Sequence, residues 1–479
     1  MEQILNYING EYIAPIHNKW LNNFNPANGE IYSQIPDSNH EDVELAFVSA
    51  TNAFKDWSNT PAEKKFKIIN KIAELIDENS LELAKAESID QGKPLWLAKA
   101  EISRAAQNFR FFATAAIQFS SDSHSMENTA INYTLKQPIG VVGCISPWNL
   151  PLYLFSWKIA PALATGNCVV AKPSEITPMT AYLLGKICNE AGLPKGVLNI
   201  VHGLGNSVGN AIVSHPKIKA ISFTGGTATG KHIASVAAPM FKKLSLELGG
   251  KNPNIIFDDC DFEKAVKTTV LSTFQNQGEI CLCGSRIFIE KPIYEKFKNE
   301  LIKQVKALKI GNPLSEDTKV GAIVSKMHFE KVLSYIEIAK KEGGTILTGG
   351  VPHQPQGLEN GWYIEPTLIE GLNNDCQTNQ EEIFGPVATL VPFDNIDEVL
   401  DYANSTPYGL ASTIWTENLT KAHQVASKIE SGIVWINCWL LRDLRTPFGG
   451  VKQSGVGREG GYYAMNFFTE TKNVCIKYN

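Results

Sequence analysis

Apolar and polar positions along this chain change period part-way through. Near the start, Tyr7-Ile8-Asn9-Gly10-Glu11-Tyr12-Ile13 sets Asn-Gly between alternating apolar positions, the signal for a two-residue turn closing a β-hairpin. Over 41–57, 61–79 and 97–116 apolar residues recur at helical spacing. From Ile139 short β-branched runs take over, at 141–145, 168–172, 197–202 and 220–224, with amphipathic stretches of helix length at 153–164, 179–191, 207–214 and 229–238 between or after them. Strands alternating with helices at this spacing predict right-handed βαβ units and a parallel sheet. After 244–250 a second series predicts strands at 254–257, 286–290, 345–347, 388–393 and 433–437. Two α/β lobes account for this order. Two further stretches of β character, 132–136 and 474–477, have no partner in either lobe.

Composition narrows the function classes. The 479 residues are 43% hydrophobic and include 22 Phe, 14 Tyr and 9 Trp, enough to bury several cores and to exclude wholesale disorder. With 44 Lys+Arg against 49 Asp+Glu the net charge is −5, the wrong sign for a nonspecific nucleic-acid binder. The N-terminal residues carry no basic region followed by an apolar run. The most apolar stretch, 139–170, is broken by Ser146, Pro147, Asn149, Pro151, Lys158 and Asn167, so no membrane span is expected. Nine cysteines without framework spacing suit reduced thiols in a cytoplasmic protein. Only Cys281 and Cys283 lie close together and no H-E-x-x-H occurs, so no metal is expected.

Several residues suggest chemistry. The run His202 to Gly209 resembles a dinucleotide turn, but its third glycine comes one residue late for G-x-G-x-x-G. Gly225, Gly230 and Lys231 satisfy G-x-x-x-x-G-K, yet His232 stands where a P-loop needs the magnesium-binding Ser or Thr. A glycine-rich turn feeding a helix N-terminus remains, a setting that favours phosphate. Glu175, after the 168–172 strand, is placed like an acid that accepts from ribose hydroxyls and disfavours a 2′-phosphate, the preference of an NAD site; solvated surface is the alternative. Cys281, in a polar, glycine-flanked loop between a helix and a strand, has the setting of a thiolate nucleophile, against the alternative of a small buried hydrophobe. Glu247 lies among leucines, which raise a carboxyl pKa toward that of a general base. Asn149 follows the first parallel strand and offers an amide to an oxyanion.

Taken in order, PWN at 147–149, KPSE at 172–175, FTGG at 223–226, LELGGK at 246–251, NQGEICLCGSR at 276–286, EEIFGPV at 381–387 and PFGG at 447–450 resemble the NAD(P)-dependent aldehyde dehydrogenase superfamily over about 7–474. The resemblance implies an α/β fold of the aldehyde dehydrogenase kind, with two Rossmann-like lobes and a small β oligomerisation element. It divides the chain into an NAD-binding domain (1–118 and 139–247), a catalytic domain (248–450) and an oligomerisation element (119–138 and 451–479). It implies Cys281 as nucleophile, Glu247 as general base, and Asn149 with the Cys281 N–H as oxyanion donors. Ile145, Trp148, Lys172, Glu175, Gly225, Gly226, Glu382 and Phe384 would bind NAD. Gly226 stands where many relatives carry serine, which removes one hydroxyl contact to phosphate. Strands like 132–136 and 474–477 join a neighbouring subunit in this family, which implies a homodimer or homotetramer.

Within the superfamily, 278–283 and 437–450 look most like the 2-aminomuconic and 2-hydroxymuconic semialdehyde dehydrogenase branches, with the ICLC run nearer the amino branch. Those enzymes take a conjugated semialdehyde with a carboxylate at its far end. The same alignment puts Arg104 and Arg442 where relatives acting on neutral aldehydes have apolar side chains, and two guanidinium groups facing one pocket clamp a carboxylate. Alone, Arg104 reads as a solvated helical arginine and Arg442 as a partner of Asp443. Cys283 is expected in the pocket wall. Two other classes stay open: a non-catalytic structural member of the family, and a P-loop nucleotide hydrolase.

Overall fold

The computed structural model describes residues 2–479. Its largest sheet has eight strands in the spatial order Gly455–Val456, Lys243–Glu247, Ala220–Thr224, Val141–Ile145, Cys168–Lys172, Leu198–Ile200, Asn6–Ile8, Glu11–Ile13. The five from Lys243–Glu247 to Leu198–Ile200 are parallel. The chain builds outward from Val141–Ile145 through Cys168–Lys172 to Leu198–Ile200, then returns to the other side of its starting strand. That reversal opens a crevice at the carboxyl ends of Val141–Ile145 and Ala220–Thr224, where ligands of open α/β sheets bind. The predicted hairpin closes the far edge, with Asn9 at φ 55° and Gly10 at φ 75°, the left-handed pair a type I′ turn requires.

A second sheet of seven strands runs Thr345–Thr348, Thr367–Glu370, Val387–Phe393, Gly284–Glu290, Asn252–Ile256, Ala411–Trp415, Ile433–Ile436, parallel except for the first pair. Thr367–Glu370 and Ala411–Trp415 were not expected from periodicity. The strand Gly284–Glu290 begins just after the 276–283 loop, so this lobe carries Cys281 to the crevice of the first.

Four helices brace the first sheet: His40–Ser58, Ala62–Glu78, Ser80–Gln91 and Leu95–Ile117. The first is closed by a capping box, Asn39 accepting from the Glu41 N–H and Asp42 accepting from the Asn39 N–H. Ser80–Gln91, absent from the predicted set, ends at Gly92 in the left-handed conformation. Helix Pro151–Ala164 opens with proline in its first turn and is buried along its whole length, which explains why it is apolar on every face.

The two β segments without a lobe pair with each other. Thr469–Lys477 runs antiparallel to Ala130–Pro138, with Val474 opposite Tyr133 and Cys475 opposite Asn132, and Ser123–Met126 completes a three-stranded ribbon. The rest of 451–479 goes elsewhere: Val451–Lys452 pairs with Tyr408–Gly409, Gly455–Val456 joins the first sheet, and Gly461–Phe467 lies against helices Leu95–Ile117 and Pro151–Ala164. Among the described residues no helix is long and apolar enough to cross a membrane.

Candidate active site

The loop that presents Cys281 has a left-handed backbone. After helix Phe262–Phe274 the chain turns through Asn276 (φ 53°), Gln277 (φ 55°) and Gly278 (φ 73°). A Cβ on Gly278 would lie 2.2 Å from the Gly385 carbonyl oxygen, so only glycine lets the two segments meet. Asn252 Nδ2 donates to the carbonyls of Cys281 (2.7 Å) and Cys283 (2.9 Å), fixing the far side of the loop. Cys281 is partly exposed. Burial and the Glu247 and Glu382 carboxylates push its thiol up, while Arg442 acts the other way.

Glu247 ends the strand Lys243–Glu247 and is 4% exposed, with neither carboxylate oxygen hydrogen-bonded. Burial, then repulsion from Glu459, raises its pKa well above the carboxylate range; Lys158, Arg458 and Arg442 oppose the shift. Glu459 Oε1 accepts from Lys158 Nζ (2.9 Å), Ser222 Oγ (3.1 Å) and Ser245 Oγ (3.4 Å). A Cβ on Gly449, which sits at φ 152°, would come within 2.7 Å of Glu247 Oε1.

Asn149 is held at both ends. Its Nδ2 donates to the Glu279 carbonyl (2.9 Å), and its own carbonyl accepts from Lys93 Nζ (2.8 Å) and Asn276 Nδ2 (3.0 Å). Lys93 is completely buried, paired with Glu101 and 3.7 Å from Glu87. Glu279, also buried, accepts from Gln91 Nε2 (2.6 Å) and the Val324 N–H (3.2 Å). The turn after helix Ser80–Gln91 is thus wedged beneath the Cys281 loop, a support that no sequence pattern singled out.

Two cavities lie at this loop, one reaching Cys281 and Asn149 and the other its flanking residues Ile280 and Leu282. One, of about 240 Å³, brings together Trp148, Asn149, Gly225, Gly226, Cys281, Glu382 and Phe384. Its wall includes two residues missed in the sequence, His328 and Lys331. His328 donates from Nε2 to the Phe384 carbonyl (2.6 Å), and its ring and that of Phe384 lie 5.0 and 5.2 Å from the Trp148 ring. Burial pushes His328 down to about 4, so it is neutral. Glu382 accepts from the Gly250 N–H (2.8 Å).

The other cavity, of about 220 Å³, is lined by Glu101, Arg104, Tyr153, Leu282, Leu440 and Arg442 among others. Arg442 donates from Nη1 to Tyr153 Oη (2.6 Å) and lies 3.9 Å over the Phe448 ring. It is not the partner of Asp443, whose carboxylate takes Arg445 instead (2.6 Å). Arg104 bonds Gln107 through Nη1 (3.2 Å), and its Nη2 is buried without a partner. Burial and Glu87 push Glu101 up to about 8, against the pull of Lys93.

The profile of the "Aldehyde dehydrogenase family" matches residues 12–474. The chain is 48% identical to the 2-aminomuconic semialdehyde dehydrogenase of Danio rerio over 99% of this chain and 98% of the relative. The chain belongs to the aldehyde dehydrogenase family. It is also 44% identical to the 2-hydroxymuconic semialdehyde dehydrogenase of Pseudomonas sp. (strain CF600), covering 100% of both. Its fold matches the NAD+ complex of an aldehyde dehydrogenase from Bacillus cereus with a TM-score of 0.97 at 40% identity, covering 100% of this chain and 97% of that one. The α/β aldehyde dehydrogenase fold expected from the motifs is the fold observed.

For an aldehyde dehydrogenase the nucleotide side of the site is well furnished. Helix Thr227–Ala237 begins at Gly226 with no side chain capping its N–H groups, the space beside Gly226 is open, and Thr224 Oγ1 is buried without a partner. These free donors fit a pyrophosphate. Gly230 and Lys231, the end of the P-loop pattern, lie inside the helix instead, where Gly230 makes room for Leu248; no phosphate cradle forms there, and the nucleotide-hydrolase alternative falls. Lys172 Nζ donates to Glu175 Oε2 (2.9 Å) at the next strand end. Burial works against the Glu175 charge, but Lys172 and the Gly205 N–H outweigh it and hold the carboxyl low. Ile145 is the last residue of its strand and is 7% exposed, packed in the core. Cys283 lines, with Cys281, Glu382 and Phe384, a smaller void that adjoins the cleft. Its N–H bonds the Ile280 carbonyl (2.9 Å), a turn that sends Leu282 to the 220 Å³ cavity and Cys283 to this void. Burial pushes the Cys283 thiol up to about 12.

Proposed function

We propose that this aldehyde dehydrogenase oxidises a carboxylated, conjugated semialdehyde, 2-aminomuconate 6-semialdehyde, to 2-aminomuconate with NAD. The observation that carries the reading is the cavity beside Cys281 on which Arg104 and Arg442 converge, with Arg442 free of Asp443 and Arg104 Nη2 free of any protein acceptor. A terminal carboxylate supplies the missing acceptors. The named relatives agree, and 2-hydroxymuconate 6-semialdehyde is the second reading because a 44% relative bears that name.

In this reading the Cys281 thiolate adds to the aldehyde carbon. The oxygen becomes an oxyanion facing the second N–H of the Asn149 amide and the Cys281 backbone N–H. NAD, when bound in the cleft, would take the hydride expelled from that carbon as the oxyanion collapses, which leaves a thioester on Cys281. Gly225, Gly226 and the N–H groups of helix Thr227–Ala237 would hold its pyrophosphate. Lys172 with Glu175 would hold one ribose and Glu382 the other, with Trp148 and Phe384 walling the reactive end. Glu247, unpartnered and of raised pKa, takes a proton from water as that water attacks the thioester; Cys281 leaves as thiolate and the acid departs.

The ribbon supports assembly as a homodimer or homotetramer: Met126, Leu135 and Ile476 are 48%, 37% and 51% exposed on it. The three-part division expected from the motifs is retained as part of this proposal, with the assembly role centred on the ribbon. Nine unpaired cysteines support a reducing, cytoplasmic setting. The reading is tested with aldehydes of matched length, with and without a terminal carboxylate, followed by NADH absorbance. A kcat/KM preference of tenfold or more for the carboxylated members supports it, and equal or better turnover of neutral aldehydes overturns it.

A further inference from the structure

The cavity that holds the two arginines also holds an acid. Glu101 and Arg104 lie three residues apart on helix Leu95–Ile117, so their side chains rise from the same face, and both line the cavity. Glu101 is fixed in place because Lys93 Nζ holds its Oε2, and Lys93 is itself pinned to the Asn149 carbonyl. The charges around it do not balance. One ammonium serves two carboxyls, Glu87 and Glu101, which also hydrogen-bond each other; Glu87 has the Leu152 N–H as a further donor (3.2 Å), and beyond Lys93 and Glu87 no described residue hydrogen-bonds Glu101. The Glu101 side chain keeps 8% of its surface exposed. An acid left with spare acceptor capacity at a cavity wall is completed by a donor on whatever enters.

We infer that Glu101 is a specificity-determining residue, which accepts a hydrogen bond from an N–H on the carbon next to the substrate's carboxylate. The inference rests on the carboxylated-semialdehyde reading above and deepens it. With the carboxylate on Arg104 and Arg442, its neighbouring carbon comes beside the acid three residues before Arg104. An amino group there brings two donors and no charge conflict. A hydroxyl brings one donor that ionises or tautomerises away, leaving only an acceptor to face the Glu101 oxygen that Lys93 and Glu87 do not use. Glu101 thus selects the amino compound over its hydroxy and unsubstituted counterparts.

The test uses the purified enzyme with NAD and three probes: 2-aminomuconate 6-semialdehyde, muconate semialdehyde with hydrogen at C2, and hexanal. Glu101→Leu removes the acceptor yet leaves Lys93 and Glu87 as a one-to-one pair, and Glu101→Gln keeps a neutral acceptor. The ratio of kcat/KM for the amino probe over muconate semialdehyde should fall roughly 10- to 100-fold in Glu101→Leu, and by a smaller factor in Glu101→Gln. An unchanged ratio, whether both probes lose activity or neither does, overturns the inference and leaves Glu101 as an ion-pair partner of Lys93. If Glu101→Leu fails to fold, the Glu101→Gln ratio decides alone. The hexanal arm separates the two readings: wild-type enzyme that prefers hexanal to muconate semialdehyde defeats the carboxylate reading itself, whatever the variants do.

Discussion

Replacing Arg442 with methionine removes the guanidinium while keeping a chain long enough to cover Phe448, over which it lies at 3.9 Å. A hydrogen bond to a charged group contributes about 1.5–3 kcal/mol, so a substrate carboxylate that loses this donor should lose roughly 10- to 150-fold in kcat/KM. A second effect is common to all aldehydes. Arg442 favours the charged forms of both Cys281 and Glu247, and its removal leaves each harder to ionise. Arg458 and Lys158 still act on Glu247, so that shared loss should stay within about fivefold, below one charge-assisted bond. The assay is NADH formation on matched carboxylated and neutral aldehydes, with NAD binding and thermal melting as controls for folding. The ratio of the two losses isolates recognition from electrostatics, since the shared effect cancels. A drop on the neutral aldehyde as large as that on the carboxylated one would show that Arg442 serves the nucleophile and not the substrate.

Three further outcomes follow from the same geometry. Asn149→Ala should cut kcat by about 10² to 10³, the loss typical of one oxyanion donor, and a change under fivefold would move that role elsewhere. Because Glu247 acts as a base only when ionised and its pKa is raised, kcat limited by deacylation should climb with pH above the ordinary carboxylate range; a flat profile there contradicts the assignment. Gly449→Ala places a Cβ 2.7 Å from Glu247 Oε1 at a φ of 152°, so turnover should fall at least tenfold with a lower Tm, and an active, equally stable variant would show that the loop yields freely.

The sequence made the parallel-sheet lobes legible because their strands are buried on both faces and read as short β-branched runs, as at Cys168–Lys172. Helix Ser80–Gln91 escaped because it follows the preceding helix across a single residue and buries Glu87, Ser88, Asp90 and Gln91, which disguise its inner face. Ala411–Trp415 escaped for a related reason, since Ser412 and Thr413 occupy buried strand positions. Cys281, Glu247 and Asn149 could be proposed from local setting and motif, and the structure brings Cys281 and Asn149 to one cleft. Lys93 and Glu101 could not: a charged residue in a helix or turn reads as solvated surface, and their burial depends on Asn149, Glu87 and the Cys281 loop arriving from remote parts of the chain.

Cys281 is proposed to carry the substrate as a thioester that Glu247 helps to hydrolyse. This role is tested most directly by mixing Glu247→Gln enzyme with NAD and 2-aminomuconate 6-semialdehyde, quenching in acid, and measuring intact and peptide masses alongside NADH. A burst of about one NADH per active site is expected, with an acyl adduct on the peptide at Cys281 that is absent from the Cys281→Ser, Glu247→Gln double variant. NADH release without any adduct, or an adduct on Cys283, would contradict that role.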